Sequence, residues 1–255
     1  MLLLLPVSGC GGSAPAPATP AADATLQREV DAGRLAYEME RNEEAAAQYR
    51  AALTRAQSRD DLGAIGDTGY DLAVAELRAN EPARALVDAR ATRAELERRG
   101  AKPFPALLLA EATALYRTGA GAEADRTAQL VQRGADADAA AQASFLRGLI
   151  AEDRGDTAGL AAALGSLNRP GAKAPSLEAD SAELDARLAL RRGDPEGARQ
   201  YAARAVELRQ AALDYRGLAR ALAVDGTAAE SSGDRSAAAD LSLRAGRSAA
   251  AQGSR

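Results

Sequence analysis

The chain predicts an all-α solenoid of six stacked helix pairs, and three observations carry that prediction. A short punctuation recurs at Arg41–Ala45 (RNEEA), Asn80–Ala85 (NEPARA), Gly119–Ala124 (GAGAEA), Gly155–Leu160 (GDTAGL), Gly193–Ala198 (GDPEGA) and Gly233–Ala238 (GDRSAA). The last residues of these stretches are spaced by 40, 39, 36, 38 and 40, and a fixed period of that length marks a repeat array. Between the stretches, Leu, Ala and Val recur at three- and four-residue spacing with Arg and Glu between them, as in Leu184–Arg192 and Glu196–Leu208. Finally, 47% of residues are hydrophobic, yet aromatics are only 3% and Trp and His are absent, so the core must be built of small side chains in close helices.

Taken in order, the first pair is expected over 25–58, with Glu43 and Glu44 placing negative charge at the start of its second helix. The second spans 61–99 and opens on Asp60 and Asp61. Pro103, Phe104 and Pro105 break the chain before the third pair, 104–133, whose internal turn is Gly119. The fourth, 137–167, turns at Gly155, with Asp156 able to cap its second helix. Asn168–Pro175, with two prolines, is the longest non-helical insert and is expected to kink the stack. The fifth pair, 176–213, turns at Gly193 and Asp194, with Pro195 in the first helical turn where its missing N–H costs nothing. The sixth, 214–251, turns at Gly233 and Asp234.

The array resembles tetratricopeptide repeats, in a longer variant of about 40 residues, over roughly residues 25–253. That family places small residues where its two helices touch. The matching positions here are Gly33, Ala73, Ala112, Gly148, Ala186 and Gly226 in the first helices, and Ala45, Ala85, Ala124, Ala198 and Ala238 in the second, with Ala52 and Ala205 at a later small position. Leu160 departs from the pattern in the fourth unit, and the family's large aromatic early in the first helix is mostly missing. The resemblance implies a right-handed superhelix whose concave face receives a protein partner.

A second resemblance lies at the N-terminus. Leu2–Val7, then Ser8, Gly9 and the only cysteine, Cys10, are similar to a bacterial lipobox. This implies a signal segment over 1–9, a lipid on the Cys10 thiol, and a flexible Pro/Ala/Gly tether over 10–24. No Lys or Arg precedes Cys10, so the signal is expected to start upstream of Met1. Gly11 stands where an Asp would imply inner-membrane retention, and the expected location is therefore the outer membrane, lipid-anchored at its periplasmic face.

Composition narrows the chemistry. Net charge is -4 with both signs interleaved, and 30 of the 32 cationic residues are Arg, Lys102 and Lys173 being the exceptions; no basic face suggests nucleic acid. Without His, and with Cys10 committed to lipid, the commonest general base, thiol nucleophile and zinc ligands are missing. Gly119, Gly121 and Ala124 fit a dinucleotide fingerprint by spacing, but that motif needs a preceding strand and Leu107–Arg117 is helical in pattern. No catalytic residue, metal, cofactor or small-molecule substrate is expected. Carrying the family's concave positions onto this chain gives Val30, Arg34, Tyr37, Tyr70, Val74, Arg78, Leu109, Tyr116, Arg117, Phe145, Leu149, Arg187, Arg191 and Arg220. Tyr and Arg supply large contact area and directed hydrogen bonds at interfaces. The alternative is that these rings bridge neighbouring repeats. The expected function is a non-enzymatic adaptor for another envelope protein; a self-associating spacer and a ligand-responsive protein are the other readings.

Overall fold

The structure, a computed structural model, describes residues 23–167, 171–173 and 176–253. Among them are twelve α-helices and no strand. They form the six pairs that the punctuation predicts: α1 (Ala24–Glu38) with α2 (Asn42–Ser58), α3 (Leu62–Arg78) with α4 (Pro82–Arg98), α5 (Pro105–Arg117) with α6 (Gly121–Gln132), α7 (Ala137–Asp153) with α8 (Thr157–Leu167), α9 (Leu177–Arg191) with α10 (Pro195–Ala211), and α11 (Tyr215–Ser231) with α12 (Arg235–Gly253). Each helix packs on the next in sequence, and first helices of adjacent pairs also meet, α3 on α5, α5 on α7, α7 on α9 and α9 on α11. The signal segment and Cys10 lie outside the described residues, as does part of the Asn168–Pro175 insert. Packing continues across that insert, because Leu184 of α9 fills the space left by Gly148 of α7.

Among the described residues, one turn is used nine times. After a helix ends, the second residue beyond it takes a left-handed backbone, at Glu40, Asp60, Asn80, Gly100, Gly119, Gly155, Gly193, Leu213 and Gly233. The next amide then donates back to a carbonyl near the helix end, as Asp156 N does to Ala151 at 2.9 Å and Asp194 N to Ala189 at 3.0 Å. This closes orphan carbonyls of the outgoing helix. The same residue caps the incoming one: Asp156 accepts from Gly159 N at 2.8 Å, Asp194 from Gly197 N at 2.9 Å and Asp234 from Ala237 N at 3.0 Å. Gly119, Gly155, Gly193 and Gly233 thus sit where glycine is expected, while Leu213 holds φ +54° with a branched side chain left 69% exposed.

The core is small-grained. Ala45, Ala52, Ala73, Ala85, Ala112, Ala124, Ala186, Ala198 and Ala205 are all fully buried, which lets the axes come close. A Cβ at Gly33 would lie 2.8 Å from the Tyr49 ring, and one at Gly148 would lie 2.5 Å from Leu184, so a larger residue at either position would force its neighbour to shift. Gly226 is looser, with its nearest neighbour at 3.5 Å, and Ala238 is only half-buried, so the last pair is less tightly meshed than the repeat pattern suggests. Leu160, the exception in the fourth unit, is fully buried among Leu149, Ala163, Leu167, Leu184 and Leu188.

Candidate partner-binding channel

The first helices of the middle pairs turn one row of side chains inward. Tyr37, Tyr70, Val74, Arg78, Leu109, Thr113 and Gln142 line a cavity of about 470 Å³. Tyr116, Arg117, Phe145, Leu149 and Arg220 line an adjoining one of about 370 Å³. Leu109, Thr113, Gln142 and Arg216 border both, so the two form a single channel along α3, α5, α7 and α11.

Its apolar wall is made of half-buried rings. Tyr70 meets Phe104 edge-on, centroids 5.7 Å apart at 71°. Phe145 lies beneath the Arg220 guanidinium at 5.3 Å, and Tyr37 beneath Arg78 at 5.2 Å. Burial, then the neighbouring Asp153, push the Tyr116 phenol up to about 12, so it stays a donor at neutral pH. These rings also touch neighbouring repeats, as the alternative reading requires: Tyr116 packs on the cores of both the third and fourth pairs. They belong to channel and core together.

The polar side is dominated by arginine. Arg117 donates to the Leu77 carbonyl and to Asn80 Oδ1, each at 2.6 Å. Arg216, from the sixth pair, crosses the mouth and donates to the Leu77 carbonyl at 3.0 Å and the Arg78 carbonyl at 3.2 Å. Residues 138 and 139 positions apart are thereby joined, and the sixth pair meets the C-terminus of α3. Helix C-termini present unsatisfied carbonyls and partial negative charge, which is what these cations grip. Burial first, then the like charges of Arg117, Arg78 and Arg220, lower Arg216 to about 10 against the pull of Asp214, and it remains charged at neutral pH.

The sequence-derived set separates on this geometry. Tyr37, Tyr70, Val74, Arg78, Leu109, Tyr116, Arg117, Phe145, Leu149 and Arg220 line the channel. Val30, Arg34, Arg187 and Arg191 do not border either cavity. Arg34 is exposed beside Asp31, Arg187 pairs with Glu183 at 3.0 Å, and Arg191 binds the Glu152 carboxylate and carbonyl, tying the fifth pair to the fourth. Arg216 falls outside that set because its approach depends on curvature accumulated over four pairs, which no local spacing encodes. Behind the channel wall, Glu183 is fully buried and meets Arg187, Arg220 and Arg209. Lys102 and Lys173 are exposed in connections, and Gly119 and Gly121 form an inter-helix turn after a helix, so the dinucleotide spacing is a repeat boundary.

No protein-family model matches the sequence, and no curated protein matches it. Solved structures do. A tetratricopeptide repeat protein from Parabacteroides merdae superposes with a TM-score of 0.55 at 12% identity, over 88% of this chain and 93% of that one. BtubC (BKLC) from P. vanneervenii superposes at 0.52 and 17% identity, over 91% of this chain and 94% of that one. The fold is the tetratricopeptide-repeat fold. The agreement spans nearly the whole length of both structures, so the helix pairs form one continuous array of tetratricopeptide-type fold. Among the described residues no helix is long and apolar enough to cross a membrane, and no cluster of His, Cys, Asp or Glu could hold a metal ion.

Proposed function

We propose that this chain is a protein-binding adaptor whose concave channel holds a segment of a partner, tethered through a lipid on Cys10 to the periplasmic face of the outer membrane. The observation that supports the binding role is the continuous channel, in which half-buried rings and arginines lie together, Tyr37 beneath Arg78 and Phe145 beneath Arg220. Such amphipathic, Arg- and Tyr-bearing surfaces are the usual anchors of interfaces. The tether rests on the sequence around Cys10 and the Pro-rich stretch after it. Two acyl chains would hold the array stably, since one chain alone binds membranes only marginally.

A photo-crosslinking residue placed at Gln142, exposed in the channel, and at Arg126, exposed on α6 away from it, tests the binding role in cells that make the protein. The expected result is a discrete adduct with one recurring protein from position 142 only. Equal adducts from both positions, or none from position 142, would remove the channel as the binding surface.

A further inference from the structure

Three joints inside the array are built to one pattern, and the two ends of the array carry its two halves in altered form. The second helix of one pair packs on the first helix of the next, α2 on α3, α4 on α5 and α10 on α11. At each of these joints an arginine of the second helix reaches an acid of the first: Arg50 meets Glu76, Arg90 meets Glu111 at 3.4 Å and Arg199 meets Asp225 at 3.5 Å. Counted from the small repeat positions, Arg50 and Arg90 stand five residues after Ala45 and Ala85, and Arg199 one after Ala198. Glu111 and Asp225 stand one residue before Ala112 and Gly226, and Glu76 lies one turn further along its helix. On α12 the two arginine places, counted from Ala238, are held by Leu243 and Ala239. On α1 the acid's place, counted from Gly33, is held by Ala32. All three of these residues are exposed.

The ends therefore lack the arginine and the acid together and are apolar in their place. Leu243 is 62% exposed on α12, and beside Ala32 on α1, Leu35 and Met39 are 58% and 57% exposed. The outer face of a terminal repeat is ordinarily polar, because it meets water. Had only one member of the ion pair been replaced, a lone charge would face apolar surface; with both replaced, the two faces match each other. We propose that α12 of one copy docks on α1 of the next, as a second helix docks on the first helix of the following pair, so that copies of this chain associate head to tail with Leu243 beside Ala32 and Leu35. Size agrees with charge. Arg28 holds the place of Ala221, which packs by Val206 on α10, and the place of Val206 on α12 is held by Gly246, whose missing side chain leaves room for the longer arginine. The two docking faces differ, so the contact is heterologous, and continuing the superhelix from pair to pair makes association open-ended instead of stopping at a dimer. This contact concerns the ends of the array and is independent of what the channel holds.

The test follows mass against concentration by static light scattering, up to about 1 mM, because a contact the size of one helix pair binds in the weak, transient range. The parent protein is the full chain carrying Cys10→Ser, which keeps a lipid or a disulfide out of the association. It is expected to gain mass steadily past the dimer. Leu243→Arg and Ala32→Glu, both at exposed positions, should each weaken association by about tenfold or more, because each sets a lone charge against an apolar face. Mixed in equal amounts, the two variants should regain the growth of the parent, since the new arginine and the new glutamate then meet as Arg90 and Glu111 do. Met39→Glu, at a second exposed site on the α1 face, should give the same loss as Ala32→Glu, and circular dichroism melts of each variant establish that the array is still folded. A parent that stays monomeric or stops at the dimer, single variants that associate as the parent does, or a mixture that fails to recover would each overturn the head-to-tail contact.

Discussion

Removing Glu183 should detach the sixth pair from the rest of the array. Its carboxylate is fully buried in α9 and meets Arg187 at 3.0 Å, Arg220 at 3.1 Å and Arg209 at 3.7 Å. Burial works against the charge of Arg220, and Glu183 more than offsets this, holding the guanidinium above its ordinary value. In Glu183→Ala, Arg209 keeps Asp180 and Asp214, whereas Arg187 and Arg220 lose the carboxylate between them. Breaking a buried pair from one side costs roughly 3 to 5 kcal/mol. The Arg187 and Arg220 side chains retain 18% and 32% exposure, so water reaches them and the lower end, about 3 kcal/mol, is expected. In urea followed by circular dichroism, the variant should show an early transition as α11 and α12 come away, because repeat arrays lose cooperativity when one interface weakens. Arg204→Ala, which removes an exposed pair with Glu178, is the comparison and should cost about 1 kcal/mol or less. A Glu183→Ala curve superimposable on that of Arg204→Ala would refute the claim that this network joins the last two pairs.

Three further outcomes are expected. Gly148→Ala should cost about 1 to 3 kcal/mol in a thermal melt, because the new methyl meets the fully buried Leu184, while Gly165→Ala, where a Cβ meets nothing within 4 Å, should be neutral or stabilising; equal melts would disprove the packing register. Burial, with Asp88 nearby, raises the Glu76 carboxyl from 4.5 to about 8 despite Arg50, so the folded state binds the extra proton between those values. The contribution of Glu76 is therefore fully present below pH 4.5 and is lost as pH rises toward 8, and wild type minus Glu76→Gln in urea should show that decline; a flat difference would count against it. With a full signal supplied, Cys10→Ser should move the protein from the membrane fraction to the soluble one, and persistence in the membrane would end the lipid-anchor proposal.

What could be read from the sequence was what repeats. Gly119, Gly155, Gly193 and Gly233 mark turns because only an unusual backbone requires that residue, and Asp156, Asp194 and Asp234 mark caps because their carboxylates answer orphan amides. The turns at Glu40, Asp60, Asn80 and Leu213 use the same conformation without glycine. Asp and Asn tolerate it, but Leu213 does not advertise itself, since tertiary packing of the flanking helices imposes the strain. The Tyr and Phe positions of the channel were legible through the family's register. Glu183 was not, because a glutamate among alanines and leucines has the same appearance on a helix surface as in a buried network.

The arginines show why register alone leaves the site half-read. A core of alanines buries little apolar surface per residue, so the fit between pairs draws on ion pairs that reach from one pair to the next. Arg90 with Glu111, Arg191 with Glu152 and Arg220 with Glu183 are of this kind, each joining residues of adjacent pairs. Arg117 departs from this rule, because it donates to the neutral Leu77 carbonyl. A carboxylate at the end of α3 would give Arg117 a charge-assisted bond. Asn80 occupies that place instead, bonded to Arg117 through its amide oxygen. Asn80→Asp supplies that carboxylate beside Arg117 and should therefore raise the melting temperature; an unchanged or lowered melt would show that the amide oxygen already serves this arginine as well.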